Sequence, residues 1–398
     1  MRLLIASNLY GRLARGGAER IAEREAAGLR TRGHEVAVVS GVPSGAPLVS
    51  ASADADSWSG LEIGHERSAD GVELFTYFPP NFCFYTELSR RSWPVRLAWH
   101  WLDIFNRRSA ARLLRVVDGW RPDVVHTHNL MGLGFAVPSA LRRRGVRHVH
   151  TVHDVQLLHP SGLLPADWTG PRWPHERAYV RLMRRMMGSP AVVLWPSEFV
   201  RDLHLRLGFF PHSEHVLLRN PAPEAIVVRQ PSVAGRNFLF VGQMEEHKGI
   251  LDLLTAWSRR TFGGGAKLVI VGDGSLSGEV RRRTEGDPSI ELLGRLSSEQ
   301  LNKEYCRADW LVVPSRVIEN APTVIGEALA YGLPVIAARS GGIPELVREG
   351  ENGLLFTPGD TAELESVLHK AIDTKLSASS SIDLTSDNYL DFLEGLFG

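Results

Sequence analysis

The stretch PSRVIENAPTVIGEALAYGLPVIAARSGGIPELVREGENGLLF, residues 314–356, decides the fold class. It follows an apolar run at residues 310–313 and contains two further short apolar runs, at residues 334–338 and 354–356. Between the runs at residues 310–313 and 334–338, residues 323–331 have the residue types and spacing of a helix. Short apolar strands that alternate with helices are typical of parallel sheets covered by helices on both faces. The stretch therefore predicts an α/β fold.

The same alternation continues in both directions along the chain. The predicted strands lie at residues 3–7, 35–40, 123–127, 147–152 and 191–195 in the first half, and at residues 237–241, 267–271, 290–293, 310–313, 334–338 and 354–356 in the second. A proline-containing segment at residues 219–236 separates the two series and is typical of a linker. We expect two Rossmann-like, doubly wound domains that face a cleft, at residues 1–205 and 206–375, with a terminal helix at residues 388–398 packing back on the first domain.

The composition excludes several classes of protein. The chain has 398 residues, 43% of them hydrophobic, which is enough to bury two cores. Its formal net charge is zero, from 45 basic and 45 acidic side chains, so a dedicated nucleic-acid binder is not expected. The two cysteines, Cys83 and Cys306, exclude a disulfide scaffold or a four-cysteine metal site. We expect a cytoplasmic protein, because apolar runs of about 18 residues are absent and the N-terminal run is shorter than the roughly seven residues of a signal-peptide core.

Glu319 and Glu327 are the first candidate site residues. Glu319 lies in the loop after a predicted strand, and Glu327 lies about one turn into the following helix, where Pro322 suits the first helical turn. Ligands of open α/β folds bind at this carboxyl edge of the sheet, and the free amides of residues 321–324 suit a phosphate. The first carboxylate is suited to sugar hydroxyls and the second to a ribose diol. The spacing by itself is equally typical of a capped helix with two solvated glutamates.

The residues of this stretch resemble the donor-site signature of retaining glycosyltransferases of family 4. In that signature two glutamates precede a helix of small residues, a G-x-P-V-I-A segment and a GG-x-P-E loop. The matching positions are Glu319, Glu327, Gly332, Pro334, Gly341, Gly342, Pro344, Glu345, Asn352 and Gly353. The resemblance implies the GT-B fold and transfer of a sugar, with retention, from a nucleotide diphosphate sugar to an acceptor hydroxyl, without a resident cofactor or metal. UDP is the expected nucleotide because it is the commonest, and a small molecule or a cell-envelope glycan precursor is the expected acceptor.

The resemblance also implies the residues of the donor site. Lys248, in the segment FVGQMEEHKGILDLL at residues 240–254, would meet the diphosphate as a point charge. Gln243 stands where the family usually has an arginine, so either another arginine replaces it or donor binding is weaker. Glu319 would position the sugar and Glu327 the ribose. The remaining donor-site residues implied are Gly16, Gly17, Gly272, Gly274, Gly294, Arg295, Asn320, Ala321, Pro322, Thr323 and Val324.

The resemblance places His153 beside the transferred sugar. The expected catalytic residues are therefore His153, Lys248 and Glu319. Arg15, His128 and Asp154 are the expected acceptor-side residues. Retention without an obvious nucleophile suggests front-face attack in which the leaving phosphate takes the acceptor proton, so no side-chain base is expected.

Two groups of residues also resemble metal-binding motifs. Five histidines near two predicted strands invite a metal site, because alternate strand residues share a face: His126, His128, His148, His150 and His159. They lack the carboxylate–histidine pattern of a catalytic zinc site, so a metal is not expected. Asp54 and Asp56 imitate the D-x-D clamp of the other major glycosyltransferase fold, but they follow no predicted strand.

Residues 90–117 mix arginines with Trp93, Trp99, Trp101 and Phe105. A basic amphipathic helix of this kind can lie on a membrane surface, which would suit a lipid-linked acceptor. A core helix with snorkelling arginines is the commoner case and is the one we expect.

Two other functions stay open. The chain is compatible with a catalytically inactive nucleotide-sugar-binding protein, because Gln243 already departs from the family. A phosphorylase or an epimerase of the same fold is the other alternative, although none of the chain's five lysines lies in a convincing site for the pyridoxal group of a phosphorylase.

Overall fold

We analysed a computed structural model, which describes residues 1–14, 16–46, 62–222, 236–259, 265–374, 376 and 385–398. Most of the predicted linker and the aspartates of the D-x-D motif lie outside these residues, and so does Arg15. The described chain forms two separate sheets, each with helices on both faces.

The first sheet is built from eight described strands in the order β3-β4-β2-β1-β5-β6-β7-β8. Their bounds are β1 Arg2–Ser7, β2 Glu35–Gly41, β3 Gly64–Arg67, β4 Glu73–Tyr77, β5 Val124–Thr127, β6 Arg147–Thr151, β7 Val192–Trp195 and β8 Glu214–Leu217. All neighbours pair in parallel except β3, which runs antiparallel to β4 at the edge. The central strands are the apolar runs that the sequence predicted, and their buried side chains form the cores on both faces.

The second sheet is parallel throughout its six described strands, in the order β11-β10-β9-β12-β13-β14. Their bounds are β9 Asn237–Val241, β10 Lys267–Val271, β11 Ile290–Gly294, β12 Trp310–Val313, β13 Val335–Ala338 and β14 Gly353–Phe356. Strands β9 and β12 are neighbours, so the loops that follow them leave the sheet side by side. This adjacency determines which side chains meet at the carboxyl edge.

Helices connect the strands in both units. Their bounds are α1 Gly17–Thr31, α2 Trp93–Ile104, α3 Arg107–Trp120, α4 Val137–Arg144, α5 Pro174–Met187, α6 Glu198–Arg206, α7 Ile250–Ser258, α8 Ser277–Thr284, α9 Ser298–Arg307, α10 Thr323–Ala330, α11 Ile343–Leu346, α12 Thr361–Asp373 and α13 Ser386–Phe397. The described helices include none that is long and apolar enough to cross a membrane.

The first sheet extends beyond residue 205, where the sequence placed its end. Strand β8 pairs with β7 from Val192 opposite Glu214 to Trp195 opposite Leu217. The side chains of β8 are only half-buried or exposed, and its four residues include two polar ones, so the strand carries no apolar run. The edge strand β3 was missed for the same reason, since GHER has no apolar pattern.

Residues 90–117 form two helices rather than one. The side chain of Asn106 accepts a hydrogen bond from the amide of Ser109 and caps α3. Helix α3 buries an apolar stripe, as a core helix does. The prediction of a core helix is wrong for α2, because Trp93 and Trp101 are exposed and only one of its tryptophans, Trp99, is buried.

The C-terminal helix α13 packs on α1 of the first unit. Leu390 lies against Gly28, where a Cβ would come within 2.4 Å of Cδ1 of the leucine. Leu393 is fully buried in the core that also contains strand β1. Arg32, the residue after α1, forms ion pairs with three acidic side chains of α13, which are Asp387, Asp391 and Glu394. The two ends of the chain are thus held together by both apolar packing and charge.

Replacement of Leu393 by alanine tests this packing. We expect Leu393→Ala to lower the free energy of unfolding by about 2–5 kcal/mol, because it leaves a cavity in a closed core. The matched control is Phe392→Ala on the same helix, since Phe392 is 43% exposed. Urea denaturation of both variants measures the difference, and equal effects would contradict the packing described.

Candidate active site

The loops after β9, β10 and β11 meet at the carboxyl edge of the second sheet. The amide of Gly272 donates to the carbonyl of Gly294 at 2.8 Å, and the amide of Met244, next to Gln243, donates to the carbonyl of Asp273 at 3.1 Å. Gly274 follows directly in the same loop, and the exposed Arg295 follows Gly294. The structure therefore brings the predicted residues of these three loops to one edge.

Lys248 and Glu319 form an ion pair at this edge. Nζ of Lys248 lies 2.7 Å from Oε1 of Glu319, and the hydroxyl of Ser315 donates to the same oxygen at 2.7 Å. Burial raises the pKa of Glu319, but Lys248, Ser315 and His247 together bring it below its ordinary value. The carboxylate is therefore charged at neutral pH, and it lies beside the lysine predicted to meet a diphosphate.

The backbone that carries Glu319 is held by the loop after β13. Gly341 has φ 58°, and a Cβ on it would lie 1.9 Å from the carbonyl oxygen of Glu319. The amide of Gly342 donates to that carbonyl at 2.8 Å. Only glycine tolerates both the backbone angle and this close approach, which explains the first glycine of the Gly-Gly pair.

Helix α10 begins at Thr323, so Pro322 is the residue before the helix and not part of its first turn. This corrects the expected position of Pro322 by one residue. The amides of Thr323 and Val324 belong to the first turn, where intrahelical acceptors are lacking. Gly17 of α1 packs against this turn, since a Cβ on Gly17 would lie 2.9 Å from Cγ2 of Thr323. Gly16 is the N-cap residue of α1, and its amide donates to the Glu19 carboxylate at 2.8 Å.

Glu327 is almost fully buried and joins the two units. The hydroxyl of Tyr305 donates to its Oε2 at 2.9 Å, and Arg24 of α1 donates to its Oε1 at 3.3 Å. Arg20, one turn earlier on α1, lies 3.9 Å from the same oxygen. The sequence analysis missed both arginines and Tyr305. The four-residue spacing of Arg20 and Arg24 puts them on one face of α1 and was the available signal.

Asn320 also connects the units, through a buried side-chain amide. Its Nδ2 donates to the carbonyl of Val152 at 2.8 Å, and its Oδ1 accepts from the hydroxyl of Ser197 at 2.6 Å. Asn220 donates to the carbonyl of Ala321 at 2.9 Å. The residue predicted to bind the donor is thus, in this structure, a bridge between the two sheets.

The carboxylate of Glu345 makes a further contact of this kind. It accepts hydrogen bonds from the amides of Glu198 and Phe199, at 2.9 and 2.8 Å, in the first turn of α6. A negative charge at a helix N-terminus is stabilised by the unpaired amides there. The glutamate of the GG-x-P-E loop therefore holds the first unit in place.

His153 lies at the carboxyl edge of the first sheet, stacked on His128. Nε2 of His153 is 2.7 Å from Nδ1 of His128, and the ring planes are 15° apart. Burial and the neighbouring His128 lower the pKa of His153 well below its ordinary value, so the ring is neutral at neutral pH. Because Val152 precedes His153 and Asn320 follows Glu319, the amide bridge brings these two predicted catalytic residues close together.

A buried carboxylate lies behind the two histidines. Oε1 of Glu25 is 2.6 Å from Nδ1 of His126, and Oε2 is 3.5 Å from Nε2 of His128. Burial raises the pKa of Glu25, but His126 and His128 reverse the direction and lower it. Nε2 of His128 makes no hydrogen bond within the described residues, and the Glu25 carboxylate is the charged group that faces it, so we expect the ring hydrogen on Nε2 and expect Nδ1 of His128 to accept from Nε2 of His153. This arrangement leaves Nδ1 of His153 as its acceptor nitrogen.

The same three side chains are the described group closest to a metal site. Their candidate ligand atoms lie within 4.8 Å of one another. The 2.6 Å separation between Glu25 and His126 is a hydrogen-bond distance, shorter than the roughly 3.3 Å that two ligand atoms keep on a tetrahedral ion with bonds of about 2.0–2.1 Å. His148 and His150 contact the hydroxyl of Thr127, and His159 contacts Ser161. The donor set therefore fits a hydrogen-bonded cluster better than a metal site.

Asp154 lies next to His153 at a small cavity of about 20 Å³, which is lined by both residues and by His128 and Gln156. Its carboxyl group accepts from the amide and the side chain of Gln156, at 2.8 and 2.6 Å. Burial raises the pKa of Asp154 to about 7. A larger cavity of about 290 Å³ lies at the opposite edge of the first sheet, among Arg2, Arg30 and Trp120, and none of the predicted site residues lines it.

Two family models match the chain. The model described as "Glycosyltransferase Family 4" matches residues 15–221, which is more than half of the chain, and the model described as "Glycosyl transferases group 1" matches residues 235–374. The chain belongs to glycosyltransferase family 4. It is therefore a glycosyltransferase of a retaining family that takes its sugar from a nucleotide sugar.

The chain is similar to curated proteins and solved structures over nearly its whole length. It is 24% identical to an uncharacterized 42.6 kDa protein in the cps region of Klebsiella pneumoniae, over 99% of this chain and 100% of that protein. It is 26% identical to glycogen synthase of Mycobacterium tuberculosis, over 95% of this chain and 87% of that protein. The solved structure of HepE from Anabaena in complex with UDP and glucose matches this chain with a TM-score of 0.67 and 18% sequence identity. The match covers 100% of this chain and 99% of the HepE chain. This likeness confirms the predicted GT-B fold.

Replacement of Glu25 by glutamine tests the histidine arrangement. In Glu25→Gln the carboxylate no longer attracts the hydrogen of His128, so we expect His153 to lose its preference for the Nε2–H tautomer. The ¹⁵N chemical shifts of selectively labelled histidines report this change. Thr151→Val is the matched control, because it breaks the 2.7 Å hydrogen bond on the far side of His126 and leaves the contact to His128 intact.

Thr151→Val loses a buried hydrogen bond and Glu25→Gln loses the charge of a buried carboxylate beside two histidines, and each is expected to lose about 1–3 kcal/mol of stability. Only the glutamine variant is expected to change the His153 resonances. An unchanged His153 spectrum in Glu25→Gln would show that the carboxylate does not set the tautomer.

Proposed function

We propose that the enzyme transfers a hexose from a UDP-sugar to a hydroxyl of a cell-envelope glycan precursor or a small molecule, with retention and without a metal ion. The observation that carries this proposal is the ion pair of Lys248 and Glu319 beside the first turn of α10. It provides one positive charge, one carboxylate and a set of helix amides at a single place. These are the groups that a diphosphate and a sugar need.

The reaction has two charges to stabilise. The leaving diphosphate gains negative charge while the sugar becomes oxocarbenium-like. In the proposed site Lys248 and the backbone N–H groups of Ala321, Thr323 and Val324 stabilise the diphosphate, and Gly17 lets α1 approach it closely. Glu319, released from Lys248 when the diphosphate arrives, accepts hydrogen bonds from the sugar. Glu327 accepts from the ribose at the oxygen that now faces Arg24.

The two units have separate roles in this proposal. The second unit holds the donor, and the first unit, with α13 packed on it, holds the acceptor through His128 and Asp154. Nδ1 of the neutral His153 accepts a hydrogen bond from the transferred sugar. The acceptor attacks from the side of the leaving group, and the leaving phosphate takes its proton, so the chain supplies no base.

The choice of nucleotide and acceptor is supported by similar proteins. HepE is solved with UDP and glucose, and a trehalose-6-phosphate protein from E. coli is solved with UDP-2-fluoro glucose. The Klebsiella protein belongs to a cps region, and an amylovoran biosynthesis glycosyltransferase of Erwinia amylovora is 28% identical over 49% of this chain. The two structures favour a UDP-sugar, whereas GDP-mannose-dependent alpha-mannosyltransferases of Corynebacterium glutamicum and Mycobacterium tuberculosis are 29% and 31% identical over 62% and 63% of this chain, so GDP-mannose is the competing donor in the screen below. The Klebsiella and Erwinia names favour a surface polysaccharide precursor.

Gln243 favours the second candidate, an inactive protein that binds a nucleotide sugar. The family's arginine at this position would add a positive charge at the diphosphate, and glutamine adds none. Arg20 offers a replacement, because it reaches the donor edge from the first unit with a side chain that is 46% exposed. We propose that Arg20 supplies the missing charge. Donor binding without turnover on any acceptor would favour the inactive protein.

A donor screen tests the proposed site. We expect a UDP-sugar to raise the melting temperature more than GDP-, ADP- or dTDP-sugars, equally with and without EDTA. Lys248→Met should abolish the shift, because the diphosphate loses its cation. The matched control is Lys267→Met, which removes an exposed lysine at the start of β10.

The double variant Lys248→Met/Glu319→Gln distinguishes loss of the lysine's contact to the diphosphate from disruption of the site by an unpaired Glu319. It removes both partners of the ion pair and leaves no buried carboxylate unpaired. The proposal requires that donor binding stay lost in the double variant. Recovered donor binding in the double variant would mean that Lys248 only neutralises Glu319 and does not contact the donor. A melting-temperature shift that EDTA abolishes would overturn metal independence.

Replacement of Glu319 tests catalysis directly. We expect Glu319→Gln to lower kcat/KM about 10²–10³-fold, since an electrostatic contact to the reacting sugar is lost. The fold should persist, because glutamine has nearly the same volume and can still accept from Ser315. Circular dichroism checks the fold and steady-state kinetics checks the rate. A near-normal kcat/KM would refute the role of Glu319.

A further inference from the structure

Helix α2, Trp93–Ile104, carries an apolar surface that no described element covers. Twelve large hydrophobic side chains in the described residues are exposed, and seven of them lie between residues 82 and 105. They are Phe82, Trp93, Val95, Leu97, Trp101, Leu102 and Phe105, and Trp93 is 72% exposed. This concentration distinguishes the surface from the scattered exposed residues found on any protein.

The exposed side chains follow the period of the helix. Trp93, Leu97 and Trp101 are spaced by four residues and form one stripe, which Phe105 continues beyond the last turn. Trp101 and Phe105 contact each other edge to face at 5.0 Å between ring centroids. The opposite side of the helix is held in the first unit by Trp99, whose ring nitrogen donates to the carbonyl of Cys83 at 2.8 Å. The helix is therefore docked on one side and open on the other.

Positive charge surrounds the stripe. Five exposed arginines flank or interrupt it, and the only carboxylate between residues 90 and 108 is Asp103, which is buried on the docked side. The arginines are Arg90, Arg91, Arg96, Arg107 and Arg108. Arg91 lies 3.6 Å from Glu87, and the other four have no carboxylate partner among the described residues. In a chain with a formal net charge of zero, this is a local excess of positive charge.

The positive charge and the convex shape of the α2 surface distinguish between a second copy of the chain, a peptide and a bilayer as its binding partner. A second copy of the chain on this face would bring two sets of arginines together, which is unfavourable. The stripe is the convex side of a helix and offers no groove for a peptide. Tryptophan and arginine side chains beside an apolar stripe suit the headgroup layer of an anionic bilayer, where the rings enter the interface and the guanidinium groups meet phosphates.

We propose that the stripe of α2 and its flanking arginines form a docking surface for an anionic phospholipid bilayer. The helix lies in the plane of the interface with Trp93, Leu97 and Trp101 inserted. This binding involves none of the donor-site residues.

The position of α2 connects this surface to the site. The carboxyl group of Asp103 accepts from the amide of Gly132 at 3.0 Å, and the carbonyl of Asp103 accepts from the amide of Phe135 at 3.2 Å. Phe135 lines the same cavity as His128 and His153. A bilayer on α2 therefore lies beside the acceptor side of the cleft. Resting on the proposed function, this placement favours an acceptor that is carried on a lipid.

Vesicle flotation of the full chain tests the proposal. The vesicles are phosphatidylcholine alone, or equal parts phosphatidylcholine and phosphatidylglycerol. We expect the protein to float with the anionic vesicles, to float much less with the neutral ones, and to be released as salt is raised. Equal flotation with both kinds, or none with either, overturns the proposal.

Two variants locate the binding surface. Trp93→Ser/Leu97→Ser/Trp101→Ser should reduce partitioning at least about tenfold, and Arg96→Gln/Arg107→Gln/Arg108→Gln should remove the preference for anionic vesicles. The matched control is Trp173→Ser, which removes a tryptophan that is 63% exposed elsewhere on the first unit. Unchanged flotation of the triple serine variant, or a wild-type dimer that this variant dissociates, overturns the proposal.

The flotation is measured without a nucleotide sugar, so its result does not depend on the proposed function. Calorimetry of the triple serine variant with the UDP-sugar should give the wild-type affinity. Failure of donor binding in the wild-type protein would overturn the proposed function and leave the membrane surface standing. Failure of flotation with normal donor binding would overturn the membrane surface and leave the proposed function standing.

Discussion

The buried side-chain amide of Asn320 is the contact on which the site depends. Its two hydrogen bonds, to Val152 and Ser197, are made only when the two sheets face each other at one separation. A hydrogen bond that replaces one to water contributes about 0.5–1.5 kcal/mol, so these two hydrogen bonds favour the arrangement in which the units are in contact. Because Val152 and Asn320 each adjoin a predicted catalytic residue, the same bridge holds the chain segments that carry His153 and Glu319 against each other. Parallel strands bring the two loops to facing edges, and the amide brings them into contact.

Around this bridge, the acidic side chains each have a different task. Glu345 holds the first turn of α6, Glu327 joins Tyr305 to α1, and Glu25 orients two histidines. Glu319 alone is paired with a flexible lysine that is about one-third exposed. It is therefore the carboxylate whose partner can turn to an incoming anion at the least structural cost. In the proposed reaction this exchange would couple donor binding to the release of a carboxylate for the sugar.

The sequence predicted most of the strands that carry apolar runs, but it missed β4, whose residues are ELFTY, as well as the more polar β3 and β8. Strands β3 and β8 lie at the edges of the first sheet, where half-buried polar residues suffice and no periodic signal remains. Helix α2 was predicted to be a core helix because snorkelling arginines on a core helix are commoner than a helix on a membrane surface. Which face is covered depends on the elements that pack against it, and only one face of α2 is covered.

The sequence by itself determined the fold class, from the alternation of apolar runs and helices, and the family, from the resemblance of residues 314–356 to its signature. It could not show that Arg24 meets Glu327, 303 positions away, or that Asn320 meets Val152, 168 positions away. It also could not show that Glu25 lies behind His128. Spacing along the chain reports neighbours within one helix or strand. Contacts between elements depend on strand order and on the closure of the two units, so only the tertiary structure decided them.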